Sequence, residues 1–357
     1  MENRGLLFIP DISGFTKFIN ETEIEHSRMI IQELLEVLIN ANQIGLTVSE
    51  IEGDAILFYK FGESPDLAAL YKQVENMFCA FHRHLIIYEH RRFCQCEACL
   101  SAIRLTLKVV THYGEFTSYN VKQFNKLIGK DVIVAHQLLK NDIDKHEYWL
   151  VTEKMNQDPP SLASWMNWNS SAKATESGEI PFHYTQLEQL KFALPADPQL
   201  ELELTEKSKV ASATAEFDTD IITLFHATGD FNYHHRWQPG VKAVEEVDHL
   251  LPRIGMRCRH ILDTGEVVMY ASSYNFSPDR IEFSQTDENK KTSSYFILEK
   301  ITDDKSKLTI DYYLKKNAVN KLFFNLVKKK KKEMQLEQSL INLAEVIKEI
   351  HLKPNVG

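Results

Sequence analysis

Apolar and polar positions fall into blocks along this chain, and the period changes from block to block. Leu6-Leu7-Phe8-Ile9 is a continuous apolar run, the pattern of a short buried strand. Pro10 offers no ladder donor, so the strand is predicted to end there and leave Asp11 at its C-terminal edge. Ser13-Gly14 before Phe15, Phe18 and Ile19 opens a helix whose amides face back toward the strand end. From 16 to 45, apolar residues at Phe18, Ile19, Ile30, Leu34, Leu35, Leu38 and Ile39 keep a helical period, predicting one amphipathic helix over a sheet. Val48 to Tyr59 reads as two strands joined at Gly53-Asp54, a hairpin that carries Asp54 to the same edge. A second helix is predicted from Pro65 to about Tyr88, and Ile103 to Gly114 alternates as a strand should. A helix led by Gly129 runs to Leu139, then a strand over Trp149 to Thr152, a polar loop over 157–180 and a last strand near Phe182 to Leu187.

Prolines and alternating acids then mark a linker over 195–213, dividing a first domain, 1–194, from a second, 214–357. In the second, Asp218 to Phe225 is predicted as a strand, Trp237 to Val247 follows a polar segment, and several strands come next. A long helix over 317–351 closes the chain, with Leu326, Leu340, Leu343 and Ile347 among its apolar positions. A length of 357 residues suits two cores, and 43% hydrophobic with 25% charged residues is the composition of a soluble globular protein. The net charge of −9 argues against a nucleic-acid binder. No apolar run reaches the length of a transmembrane segment, and Met1-Glu2-Asn3-Arg4 lacks the features of a signal peptide, so a cytoplasmic location is expected.

Candidate chemistry starts from Asp11 and Asp54. Two carboxylates on adjacent strands beside a helix start suit a hard cation that holds polyphosphate, because magnesium prefers carboxylate oxygen and keeps room for phosphate and water. Either residue alone is more often a turn cap. In sequence, Ile9-Pro10-Asp11-Ile12-Ser13-Gly14-Phe15-Thr16 resembles the F-x-D-I-x-G-F-T motif of class III nucleotidyl cyclases, with Ile9 replacing the phenylalanine. Gly53-Asp54 resembles that family's second metal-binding turn, and His112-Tyr113-Gly114 its H-x-G strand end. The resemblance implies an α+β chain with a ferredoxin-like class III cyclase catalytic-domain fold. It further implies Mg2+ or Mn2+ on Asp11, Asp54 and the backbone of Ile12, a purine nucleotide, and a head-to-tail homodimer.

The same resemblance argues against vigorous turnover. Active relatives carry asparagine and arginine where this chain has Ile133 and Gln137, residues that neither donate to ribose nor neutralise charge growing on phosphate. His136 and Lys130 are the nearby residues that a register slip would bring in. Glu50 stands at the base-reading position and favours guanine; its partner position is Lys126, which is equally able to pair with Glu50. The two readings that result are a metal- and nucleotide-binding homologue without efficient catalysis, and an active guanylate or adenylate cyclase. Cys94, Cys96 and Cys99 have no counterpart in ordinary cyclases and suit one Zn2+, with His82, His84, His90 or Cys79 as the fourth ligand; the alternative is three reduced thiols. Trp237-Gln238-Pro239-Gly240-Val241 and the closing helix resemble the START-like (SRPBCC, Bet v 1-like) superfamily, which implies a helix-grip domain holding an apolar small molecule. His226, His234, His235, Arg236 and Trp237 read as a solvent-facing polar loop, and Lys328 to Lys332 as a solvated helix face.

Overall fold

The computed structural model describes residues 3–22, 24–94, 96–175, 178–195, 207–247, 253–316 and 328–350. The chain divides into two compact units, one of residues 1–90 and 96–197, the other of residues 91–95 and 198–357.

The first unit is mixed α+β. Its strands are β1 (Arg4–Ser13), β2 (Thr47–Glu52), β3 (Ala55–Phe61), β4 (Thr106–Glu115), β5 (Thr117–Val121), β6 (Phe124–Ile128), β7 (Tyr148–Thr152), β8 (Asn169–Thr175) and β9 (Gly178–Gln186). Seven form a sheet in the order β2-β3-β1-β4-β7-β9-β8, and β5-β6 is a separate hairpin. β4 and β7 run parallel, while β1 pairs antiparallel with both neighbours. The helices are α1 (Phe15–Glu21), α2 (Ile24–Asn40), α3 (Leu67–Arg91), α4 (Glu97–Ser101) and α5 (Lys130–Leu138).

β1 is buried on both faces, which is why it reads as an unbroken apolar run. Leu7 and Ile9 share a core with Leu57, Val110, Leu150 and the α5 residues Val134 and Leu138. On the opposite face, Tyr71 of α3 stacks on Trp149 of β7 at 6.1 Å between ring centroids. The buried stripe of α3, from Leu67 through Phe81 to Tyr88, follows the apolar spacing of the sequence.

Several expectations are corrected. β1 does not stop at Pro10 but runs to Ser13, because the proline interrupts pairing only on the β3 side: Ile9 and Pro10 pair with β4 alone. The single helix expected over 16–45 is two, α1 and α2, separated by the extended Thr22. Residues 169–175 are not loop but β8, an edge strand whose exposure explains its polar sequence.

The second unit is built on one antiparallel seven-stranded sheet, ordered β10-β16-β15-β14-β13-β12-β11. These strands are β10 (Lys207–Phe217), β11 (Val241–Glu246), β12 (Arg257–Leu262), β13 (Gly265–Ser277), β14 (Arg280–Asp287), β15 (Thr292–Thr302) and β16 (Lys305–Lys315). Helices α6 (Ile221–Gly229) and α7 (His234–Trp237) fall between β10 and β11, and α8 (Lys329–Glu349) follows the sheet. Leu336, Leu340, Leu343 and Ile347 of α8 join Leu224, Trp237, Phe283, Leu298 and Leu308 in the core.

Residues 207–213, expected as linker, are the first part of β10. Asp218 to Phe225, expected as a strand, instead starts α6. Asp220 caps it, its carboxylate accepting from the amides of Ile222 and Thr223, both at 2.9 Å, and this outweighs the β-preference of Ile221-Ile222-Thr223. Of the helix expected over 317–351, residues 317–327 lie outside the described residues. His234 and Trp237 are buried rather than solvent-facing. Lys332 also departs from the solvated reading: its amine lies 4.1 Å from the centre of the Tyr312 ring, and burial lowers its pKa to about 8.

Candidate metal and nucleotide site

The site is organised by β1. Asp11 lies opposite Ala55 on β3 and opposite Lys108 on β4. The Ile12 amide donates to the Asp54 carbonyl at 3.0 Å, which ties the Gly53-Asp54 turn to the strand. Gly53 takes φ 63°, a left-handed conformation that favours glycine. Asp11 is 8% exposed, and burial raises its pKa to about 6; Lys108 opposes the rise and the Asp54 charge adds to it. Burial likewise raises Asp54. Ser13, two residues on and therefore on the same face of β1 as Asp11, has its hydroxyl buried without a hydrogen-bond partner. Two carboxylates that resist ionisation beside an unsatisfied oxygen form a donor set suited to a hard divalent cation.

Lys108 was missed by sequence reasoning as a site residue. Its amine is 3.4 Å from the Asp11 carboxylate and donates to the Leu139 carbonyl at 3.2 Å. The available signal was strand alternation, which puts Lys108 on one face of β4, but only the pairing of β4 with β1 sets it against Asp11.

The Glu50 carboxylate and the Lys126 ammonium form an ion pair, which also draws the edge of β2 to β6. On α5, Ile133 is 61% exposed, with Gln137 one turn on and half-buried. His136 lies 3.8 Å from Glu52.

Further along the same face of β4 is a second polar centre, whose partners the sequence did not announce. His112 Nε2 donates to Asp131 Oδ1 at 2.8 Å, and His112 Nδ1 meets the Thr152 hydroxyl at 2.8 Å. Asp131 also accepts from Lys154 at 2.6 Å and from the Glu115 amide at 2.7 Å. Burial pushes the Asp131 pKa up, but these donors outweigh it and hold the carboxyl well below its usual range. A Cβ on Gly114 would lie 2.2 Å from Asp131 Cγ, so the H-x-G glycine is required by the close approach of Asp131. The network braces β4, β7 and the start of α5.

The cysteine loop gathers a different set of ligands from the one expected. His82 faces Glu147 at 3.7 Å, His84 bonds Glu33 at 3.0 Å and His90 bonds the Ile86 carbonyl at 2.7 Å, so none of them completes the group. Cys79 is not in it either. His26 of α2 takes that place, and its ring nitrogen and the sulfurs of Cys94, Cys96 and Cys99 all lie within 4.8 Å of one another.

Known proteins share parts of this chain. Residues 31–148 match a family model for a protein of unknown function (DUF2652). An uncharacterized protein of Mycobacterium tuberculosis H37Rv (Rv2561/Rv2562) is 32% identical over 127 residues, which are 35% of this chain and 58% of that protein. The chain therefore spans a little over half the length of this relative. Among solved structures, the guanylate cyclase domain of RhGC from Catenaria anguillulae, in complex with GTP, shares 16% identity, with a TM-score of 0.37 over 52% of this chain and 97% of that one. The adenylyl cyclase CyaB from P. aeruginosa shares 16%, with a TM-score of 0.35 over 51% and 93%. No helix among the described residues is long and apolar enough to cross a membrane.

Proposed function

We propose that the first unit is a class III nucleotidyl cyclase homologue that binds Mg2+ or Mn2+ and a purine nucleotide without efficient turnover. The observation that carries this reading is the placing of Asp11 on β1 beside the Asp54 turn, one carboxylate buried and the other half-buried, with burial raising the pKa of both. A divalent cation would relieve both, held by Asp11, Asp54 and the backbone of Ile12, and would supply charge for the phosphates of the nucleotide. Lys108 pairs with Asp11 when no cation is bound, and its second bond to Leu139 gives the amine an acceptor when the carboxylate turns to a metal. Lys126 covers Glu50, so a base must displace or join that pair to be read.

Turnover is limited by α5. Ile133 offers no donor and Gln137 no charge, and one lost transition-state donor costs roughly 3 kcal/mol, a hundredfold or more in rate. The reading includes a homodimer, because Tyr119, Val121, Phe124 and Ile128 of the β5-β6 hairpin and Ile133 of α5 are all large, apolar and exposed. A second copy of the chain is the occupant this surface fits, since the cyclase resemblance implies active sites between subunits. For the second unit we propose an apolar small-molecule ligand, a reading supported by the resemblance of Trp237 to Val241 and by a closing helix packed on the first strand, β10.

Asp11, Asp54 and Glu50 support metal and nucleotide binding and are equally compatible with the competing reading, an active guanylate or adenylate cyclase. Incubation with GTP or ATP plus manganese separates the two. The expected result is cyclic product near background in the parent and a clear increase in Ile133→Asn with Gln137→Arg. Vigorous turnover by the parent overturns the inefficient-site reading, and failure of both nucleotides to bind in the presence of manganese overturns the cyclase-homologue reading.

A further inference from the structure

We infer that His26, Cys94, Cys96 and Cys99 form a mononuclear zinc site, separate from the Asp11–Asp54 site, that fastens the start of α2 to the segment before β4. Sequence spacing alone suggested three thiolates; the fourth ligand comes from a residue about seventy positions away. His26 Nδ1 lies 3.3 Å from Cys96 Sγ and 3.4 Å from Cys99 Sγ. In tetrahedral zinc coordination, with Zn–S of about 2.3 Å and Zn–N of about 2.1 Å, ligand edges are about 3.6 Å for N···S and about 3.8 Å for S···S. The observed N···S separations already match those edges, and the 4.8 Å limit on every pair leaves about 1 Å of closure at most for the widest. A two-iron cluster would spread the same four ligands over two metal centres, which a group this tight does not allow.

The surroundings support coordination. The Tyr88 hydroxyl donates to Cys99 Sγ at 2.8 Å, and a donor on a thiolate fixes its orientation and favours the charged form a metal needs. Arg92 donates to the Cys94 carbonyl at 3.1 Å, which places a guanidinium beside a site whose ligands and zinc sum to a net charge of −1. None of the three cysteines is in a disulfide. Cys96 sits at the start of α4, and its carbonyl accepts from the Leu100 amide at 3.0 Å, so the turn that sets the Cys96–Cys99 spacing is held by backbone. Three soft ligands and one imidazole, with no carboxylate or open position, are the set of a structural rather than a catalytic zinc.

The test uses the full chain, purified under reducing conditions with no added metal or chelator, followed by elemental analysis. The expected content is one zinc per chain, and His26→Ala is expected to lose at least tenfold in zinc affinity while His90→Ala keeps the parent value. Cobalt replacement reads the ligand set directly. The parent should show intense tetrahedral d–d bands with thiolate charge transfer from three sulfurs, and His26→Cys should retain metal and raise the charge-transfer intensity by about a third. His26→Cys also guards against a His26→Ala protein that fails to fold. Metal-free fresh protein that binds no cobalt, iron in place of zinc, a disulfide among the three cysteines, or a His26→Cys spectrum unchanged from the parent would each overturn the assignment.

Discussion

Replacing Asp11 by asparagine tests the proposed cation site in a way that loss of activity alone does not. With no cation bound, the Asp11 carboxyl is raised from 3.8 to about 6, chiefly by burial, after the opposing effect of Lys108 has been included. Its side chain is 11% exposed, so solvent screens little of this. Unfolded, the group ionises near 4; folded, near 6. Between those values the folded state holds the extra proton, so stability falls as pH rises through that window, and above about pH 6 the whole penalty applies. At about 1.4 kcal/mol for each pH unit, the interval between the two values makes the penalty about 3 kcal/mol. Asparagine mimics the neutral acid, so Asp11→Asn in chelator should be more stable than the parent by up to about 3 kcal/mol at pH 7.5, and no more stable at pH 4. At about 2–4 °C per kcal/mol for a unit of this size, the gain is about 6–12 °C. Calorimetry of the full chain with chelator, then with manganese and GTP, measures both halves. Manganese should raise the parent's transition, because a ligand that binds only the native state stabilises it. Asp11→Asn with Asp54→Asn should abolish that rise. Equal manganese stabilisation of the double variant refutes the metal site, and an Asp11→Asn protein no more stable than the parent at pH 7.5 refutes the burial argument.

Other outcomes follow from the same geometry. Gly114→Ala should cost about 2–4 kcal/mol in urea unfolding, because the new methyl displaces Asp131 and leaves His112 buried beside a broken bond. Burial lowers the pKa of His82 to about 3 and that of His260 to about 4, so each holds a stabilising neutral form above its unfolded pKa of 6.5 that is lost as pH falls toward the folded value. At pH 5 each therefore removes about 2 kcal/mol, and His82→Gln should flatten the acid limb of the first unit's stability curve. Light scattering should find a dimer of the 41.3 kDa chain at micromolar concentration, and Val121→Glu with Phe124→Glu should leave a monomer. A monomeric parent would remove the dimer from the proposal.

Local signals determined much of this protein. The run Leu6 to Ile9, the stripe of α3 and the Gly53-Asp54 hairpin were legible because burial on a strand or helix repeats with a fixed period, and the Gly53 turn has a strong residue preference. The same signals brought Asp11 and the Asp54 turn to neighbouring strands, although Asp11 lies within β1 and not at its end. Where two local preferences competed, the sequence misled: Ile221-Ile222-Thr223 favours a strand, but a side-chain cap from Asp220 and an apolar core on one face make α6. Only the tertiary structure decided what lies across from what. Lys108 reaches Asp11 through the pairing of β4 with β1, Asp131 covers Gly114 through the packing of α5 on β4, and His26 joins the cysteines from another helix. These contacts join residues on different elements, and no periodic pattern records them, because they are set by strand order and helix placement, which the whole apolar core selects together.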